Sequence, residues 1–311
     1  MPELPDVLLY IDSLKPRILN QTLEQVRLAS PFVVRSVTPP ISTINGRTVI
    51  GIRRLGKQIV FEFDGDLFLV VHLMIAGRFQ WKERGARIPG KLGLAAFDFA
   101  SGTLLLTEAG SKKRASLHLV HGADSLVAFD RGALEVLDSS LEEFRKVLTR
   151  ENHTVKRSLT DPRLFSGIGN AYSDEILHRA RLSPMKLTWK LNDDEISRLH
   201  AATKSTLAEW IERLRVEAGS EFPSKVTAFR PEMAVHGRFG NPCPVCGSPV
   251  QHIVYAENEC NYCATCQTEG RLLADRALSR LLKQDWPRSL DEWEAHIETR
   301  KGKSISARRK N

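Results

Sequence analysis

The chain has 311 residues and a formal net charge of +8, with a pI near 9.3; that length allows two domains, each with its own core. The longest apolar stretch, Leu67 to Gly77, is interrupted by His72 and is too short to span a bilayer, and the N-terminus lacks the charged and apolar regions of a secretory signal. A membrane-bound or secreted protein is therefore not expected, whereas a polyanionic partner suits the charge.

The chain opens Met1-Pro2-Glu3-Leu4-Pro5-Asp6. Removal of Met1, which a small second residue permits, would leave Pro2 with a free secondary amine. An α-amine has an ordinary pKa of roughly 7.7–8.0, so a useful fraction is neutral near pH 7 and can attack an aldehyde-like carbon. Glu3 beside it supplies a carboxyl able to act as a general acid. A frayed terminus is the plain alternative.

A short helix is expected over Val7 to Leu14. Strand-like runs follow at Thr48–Ile52, Gln58–Phe63, Leu67–Leu73, Leu92–Phe99 and Thr103–Thr107, punctuated by glycine and aspartate, which predicts a β-sandwich. Lys57 enters the second run, where a solvated surface lysine is the ordinary reading. From about Ser139 the pattern turns helical, with Leu141, Phe144 and Leu148 at helical spacing, so a domain boundary falls near 131–140. Gly167-Ile168-Gly169-Asn170 lies between helical segments Val155–Asp161 and Tyr172–Arg179. Glycines there would let backbone approach a phosphate, with the next helix offering its unpaired N–H groups. A helix–hairpin–helix or a plain glycine-capped helix end also fits. A further helix starts at Asn192, where Asn192 and Glu195 pair as in a capping box, and runs toward Leu214. Gly219 to Pro231 reads as a loop.

All five cysteines lie within residues 243–266, which argues against a dispersed disulfide framework and for metal binding in a reducing compartment. Cys243-Pro244-Val245-Cys246, sixteen intervening residues and Cys263-Ala264-Thr265-Cys266 form two knuckles able to hold one structural Zn²⁺ tetrahedrally. Cys260 with Cys263 has the same spacing and is an alternative second knuckle. Beyond them, Arg271 to Lys283 reads as a helix. Arg300 to Asn311 holds six basic residues and no acidic one, a tail suited to non-specific phosphate affinity or to solubility.

The Pro2-Glu3-Leu4-Pro5 opening, Lys57, the Gly167–Asn170 segment and the four-cysteine ribbon, in that order, resemble the formamidopyrimidine-DNA glycosylase / endonuclease VIII family over about residues 1–270. The resemblance implies an α+β protein: an N-terminal catalytic β-sandwich domain (1–135), a helical helix–two-turn–helix domain (136–235), a zinc-ribbon finger (236–270) and an extension (271–311). It implies a bifunctional DNA glycosylase and abasic-site lyase acting on damaged or abasic DNA. Such a chain would be a monomer in the cytoplasm or nucleoid of a bacterium, or in the nucleus of a eukaryote. Pro2 would be the nucleophile, Glu3 the acid and Lys57 an assisting residue. Lys156 and Asn170 would grip phosphates, and Cys263 with Cys266 would complete the zinc site.

The chain also departs from the family pattern. The ribbon's usual arginine falls at Asn258, which lacks the charge and the two-pronged donor geometry. Ile75 stands where the family has an intercalating methionine; it could serve as an apolar wedge or pack inside the sandwich. Glu108 to Ala115 has no aromatic where a second wedge is expected, and Phe222–Phe229 is a short version of the segment that covers an everted base. These departures leave a non-catalytic damage-binding relative, or an RNA-associated factor, as rivals that a covalent cross-link to abasic DNA would separate.

Overall fold

The computed structural model describes residues 1–110, 112–223, 226–227, 229–255, 258–273, 289 and 292. The chain forms two compact units. One gathers residues 1–139, 161–169 and 207–228, and the other 140–160, 170–206 and 229–311.

The first unit opens with α1 (Leu4–Ile18), longer at both ends than expected. Pro5 sits in the first turn, where a missing N–H costs nothing. Glu3 is the N-cap, and it and Asp6 each accept the other's backbone N–H in a capping box. Eight strands follow: β1 (Leu23–Leu28), β2 (Val49–Leu55), β3 (Gln58–Phe63), β4 (Leu67–His72), β5 (Gly77–Lys82), β6 (Gly93–Phe99), β7 (Gly102–Glu108) and β8 (Ser116–His121). They make two antiparallel four-stranded sheets in the orders β1-β6-β7-β5 and β2-β3-β4-β8. Ile52, Phe61 and Leu69 from one sheet share a core with Phe79, Phe97 and Leu106 from the other, together with Tyr10 and Leu14 of α1. This is the expected sandwich, with β1, β5 and β8 in addition to the strands read from the sequence. Two positions from the expected Gly219–Pro231 loop join it: Val226 is a core residue and Phe222 packs against the core, near the Tyr10 and Trp81 rings.

The second unit holds α2 (Leu141–Leu148), α3 (Val155–Thr160) and α4 (Asn170–Arg179), then the hairpin β9 (Gln251–Tyr255) and β10 (Asn258–Tyr262), and α6 (Ala264–Thr268). Ser140 and Glu143 cap α2 reciprocally. α4 packs against α3, β10 and α6. α5 (Asp193–Ala218) divides its length between the two units, and its start carries the expected Asn192–Glu195 box, with bonds of 3.0 and 2.9 Å. Of the expected helix Arg271–Lys283, residues 274–283 lie outside the described residues, as does the basic tail. No described helix is long and apolar enough to cross a membrane.

Candidate active site and metal centre

Pro2 and Glu3 are both buried, Glu3 to 2% exposure. Besides the Asp6 N–H, the Glu3 carboxylate accepts the Gly169 N–H at 2.6 Å, and Leu4 N–H donates to the Gly167 carbonyl at 2.9 Å. The two glycines are required by these approaches. A Cβ on Gly167, whose φ is +80°, would sit 2.6 Å from the Leu4 side chain; one on Gly169 would sit 2.5 Å from the Glu3 carboxyl carbon and 2.7 Å from Lys57 Nζ. The spacing by itself fits a phosphate approach, a helix–hairpin–helix or a glycine-capped helix end. The structure puts Leu4, Glu3 and Lys57 where those side chains would be.

Lys57 follows Gly56 in the β2–β3 turn, where Gly56 takes φ +60°. Arg54 braces this turn, donating to the Gly56 carbonyl at 2.7 Å and to Ser166 Oγ at 2.9 Å while pairing with Glu135. Burial pushes the Lys57 ammonium below its ordinary pKa, and the Glu3 carboxylate opposes that. The α-amine here belongs to Met1. Burial holds it below its ordinary pKa, with Arg78 and Lys57 acting the same way and Glu3 and Asp6 against.

Ile75 lies in the turn between β4 and β5 and is 54% exposed, so it does not pack inside the sandwich. His72 Nδ1 accepts the Met74 N–H at 2.9 Å, which suits a neutral ring. Burial first, then the charges of Lys57, Arg131 and His118, bring its pKa down to about 4. The excursion between β7 and β8 is tied by buried Glu108, whose carboxylate accepts the Arg114 and Ala115 N–H groups at 2.9–3.1 Å. Lys112 and Arg114 are exposed on it, and Gly110 approaches Ala76 of the Ile75 turn.

In the second unit the structure moves Lys156 from the expected phosphate-contacting surface to the interior. Its side chain is 5% exposed and pairs with fully buried Asp174 at 2.5 Å. It also donates to Ser173 Oγ at 2.9 Å and to the Asn170 carbonyl at 3.2 Å. A buried ammonium keeps such partners because leaving them uncompensated is costly. Asp174 also accepts from His236 Nδ1 at 2.8 Å and Asn261 N–H at 3.2 Å. Sequence reasoning missed this hub; an acidic residue on the inward face of α4 was its one visible sign. Asn170 opens α4 half-buried, its Nδ2 donating to the Glu259 carbonyl at 2.7 Å, which leaves the second amide hydrogen for another acceptor. Asn258 pairs with Tyr255 at the end of the hairpin; its side chain lies outside the described residues.

The sulfurs of Cys243, Cys246, Cys263 and Cys266 all lie within 4.8 Å of one another. Sγ separations of 3.4 Å (Cys246–Cys263) and 3.9 Å (Cys243–Cys266) bracket the roughly 3.8 Å edge of a tetrahedron with metal–sulfur bonds of about 2.3 Å. The set fits a closed tetrahedral metal site. His178 Nε2 lies 3.2 Å from Cys243 Sγ and suits an outer-shell donor to a thiolate. Cys260 does not belong to the set: it is 1% exposed and packs with Ile253, Tyr262 and Ala264, and burial raises its thiol pKa.

The comparisons agree with this layout. Residues 1–114 match the formamidopyrimidine-DNA glycosylase N-terminal domain and residues 134–220 match the formamidopyrimidine-DNA glycosylase H2TH domain. The chain is 33% identical over 280 residues to the formamidopyrimidine-DNA glycosylase of Thermus thermophilus, covering 87% of this chain and all of that one. It is 40% identical over 149 residues to an uncharacterized formamidopyrimidine-DNA glycosylase-like protein of Mycobacterium tuberculosis, covering 48% of this chain and 92% of that one. Among solved structures, that of the Lactococcus lactis enzyme in complex with DNA containing an abasic site superposes with a TM-score of 0.76 at 26% identity, covering 86% and 99% of the two chains.

Proposed function

The chain belongs to the formamidopyrimidine-DNA glycosylase family, and from that premise we propose that it is a bifunctional DNA glycosylase and abasic-site lyase of base excision repair. The observation that carries this reading is the arrangement at the start of α1: buried Glu3, fixed by the Gly169 N–H, with Lys57 beside it and Pro2 next in sequence.

Once Met1 is removed, the Pro2 nitrogen attacks C1′ of an everted damaged nucleotide. The base departs with the electron pair of the glycosidic bond and takes up the proton that the Pro2 nitrogen sheds, and Glu3, as the acid, protonates the ring oxygen as the sugar opens to the iminium. The resulting iminium acidifies the protons on C2′. Loss of one of them breaks the C3′–O bond, the 3′ phosphate leaving with the electrons, and a second elimination releases the 5′ phosphate. A neutral amine is needed for the first step, and burial of the terminus with two nearby cations favours one. Lys57 supplies positive charge beside Glu3. Asn170 offers its second amide hydrogen to a phosphate, and Asn258 is a further candidate contact.

The four thiolates would hold one Zn²⁺, which stabilises the ribbon and takes no part in the chemistry, since a closed four-sulfur site leaves no open position. We read residues 1–135 as the part carrying the chemistry, 136–235 and 236–270 as DNA-gripping parts, and 271–311 as a basic extension; the protein works as a monomer.

The substrate reading follows from the wedge region. One exposed apolar side chain, Ile75, can prop open a base stack but cannot identify a base by hydrogen bonding, and the 109–115 excursion adds cations and no aromatic. The enzyme should act comparatively well on single-stranded, bubble or abasic DNA, with little preference for the opposite base.

Borohydride trapping on an abasic duplex tests the mechanism. The parent should cross-link, Pro2→Gly should excise and cleave far more slowly because only the attacking amine changes, and both should keep zinc content and duplex affinity. Glu3→Gln should suppress base excision more than cleavage of a preformed abasic site. No cross-link by the parent, or excision and cleavage at the parent's rate by both variants, would refute the mechanism. Strong preference for 8-oxoguanine opposite cytosine in duplex would refute the substrate reading.

A further inference from the structure

Arg78 opens a question that the residues above leave unanswered. It sits on β5 opposite Thr107 of β7, three positions beyond Ile75. Its Nη1 donates to the carbonyls of Ile75 at 3.2 Å and Gly77 at 2.6 Å, which braces the Ile75 turn. Those two bonds use one edge of the guanidinium. Among the described residues no acceptor or carboxylate meets Nε or Nη2, so the opposite edge keeps the parallel N–H pair that suits an oxyanion. Half-buried Arg78 also lies near enough to the N-terminus for its charge to act on the α-amine and on the Tyr10 hydroxyl. One guanidinium thus braces the turn of the exposed apolar tip and lies within charge range of the chain's first amine, that of Met1.

We propose that Arg78 is a phosphate-binding and positioning residue of the site, its free Nε/Nη2 edge taking a phosphodiester of the nucleotide held beside Pro2. This rests on the reading of Pro2 as nucleophile and on a DNA substrate. A phosphate fixed there sets the sugar's distance from the amine, while the other edge of the same guanidinium fixes the turn that carries Ile75. Eversion and attack are then registered against one group. The cation has a second effect: near the amine it disfavours the protonated form. On the Met1 amine that now occupies this end of the chain the other acting charges are Glu3, the N-cap of α1, and Asp6, which oppose this, and Lys57 of the β2–β3 turn, which reinforces it.

The experiment compares parent, Arg78→Met and Arg78→Lys on a duplex with a non-reactive tetrahydrofuran abasic analogue, then on a true abasic site. For Arg78→Met the structure leads us to expect a roughly tenfold loss of analogue affinity and a salt-dependence slope reduced by about one. On the abasic site the acid limb of its single-turnover pH profile should move to higher pH. Arg78→Lys should keep the slope and the pH profile, since it keeps the charge, while losing part of the affinity with the paired donors. An unchanged slope in Arg78→Met overturns the proposal. So does an equal loss of slope in both variants, because Arg78 would then act only by bracing its turn; melting temperatures confirm that both are folded. Binding of the analogue needs no covalent step, so failure of the parent to trap with borohydride would count against the Pro2 mechanism alone.

Discussion

The Gly169 N–H and the Glu3 carboxylate, 166 positions apart in sequence, meet at 2.6 Å. The bond joins the residue that caps α1 to the last residue before α4, and it needs Gly169 to lack a side chain. The carboxyl group that is to act as the acid is therefore set by backbone, which holds position better than another flexible side chain would.

Gly169→Ala should consequently damage chemistry more than folding. Its methyl would have to displace the Glu3 carboxyl or Lys57 Nζ, each under 3 Å away, and both can swing aside at modest cost in stability. Single-turnover excision should fall by about a hundredfold or more, as misplacement by an ångström can cost that much, with only a small change in melting temperature. Gly167→Ala should show the reverse balance, since its positive φ and the Leu4 contact make it a folding defect. Equal activity of parent and Gly169→Ala would show that the Glu3 position does not matter.

Lys156→Met should cost about 3–5 kcal/mol, the usual penalty for stranding the other half of a buried ion pair. Asp174 would retain His236 and the Asn261 N–H but lose its cation. Urea unfolding measures this. At temperatures where the variant is folded, the salt slope of DNA binding should stay at the parent value, because the ammonium is interior; a slope lower by about one would mean that Lys156 leaves Asp174 and reaches a phosphate.

Much of this architecture was legible. Gln58–Phe63 matches β3 residue for residue, and of the two second knuckles that the cysteine spacing allows, the one implied by the resemblance, Cys263 with Cys266, supplies the sulfurs that cluster. Other features had no local signature. β5 carries Arg78, Gln80 and Lys82 between its glycine and aromatics, so its apolar positions are too few to stand out. The start of α1 was obscured by Pro5, which ends helices in most positions and is tolerated in the first turn. The resemblance puts Lys156 on a phosphate, and no local signal says otherwise, because its partner Asp174 is 18 positions away on another helix. The Gly-x-Gly spacing signalled a close approach correctly, but a spacing cannot say what approaches.

Cys260→Ala should retain one zinc per chain by elemental analysis, whereas Cys243→Ser should lose it and weaken DNA binding through the unfolded ribbon. Burial among Ile253, Tyr262 and Ala264 makes Cys260 a small apolar residue in function. Metal loss from Cys260→Ala alone would reassign the second knuckle.

His72 should make stability pH-dependent in a defined window. Its unfolded pKa is 6.5 and its folded value is about 4, so between these the unfolded chain binds a proton that the folded one refuses. Stability is fully present above about 6.5 and falls as pH drops toward 4, by on the order of 3 kcal/mol. His72→Gln, which can still accept the Met74 N–H, should flatten that part of the curve; an unaltered curve in urea titrations at pH 4–7 would exclude His72 as its source.

The first unit is assembled from three separated stretches of chain, and this has a bearing on biosynthesis. When the last sandwich strand leaves the ribosome at His121, Glu3 has no Gly169 N–H to accept and the shared core lacks Val226. Those arrive some fifty and one hundred residues later, so a nascent chain carries its sheets well before it carries a finished reactive end. Fragments cut at the conventional domain boundary would be incomplete for the same reason, since they lack both the Gly169 N–H that fixes Glu3 and the Val226 that completes the core.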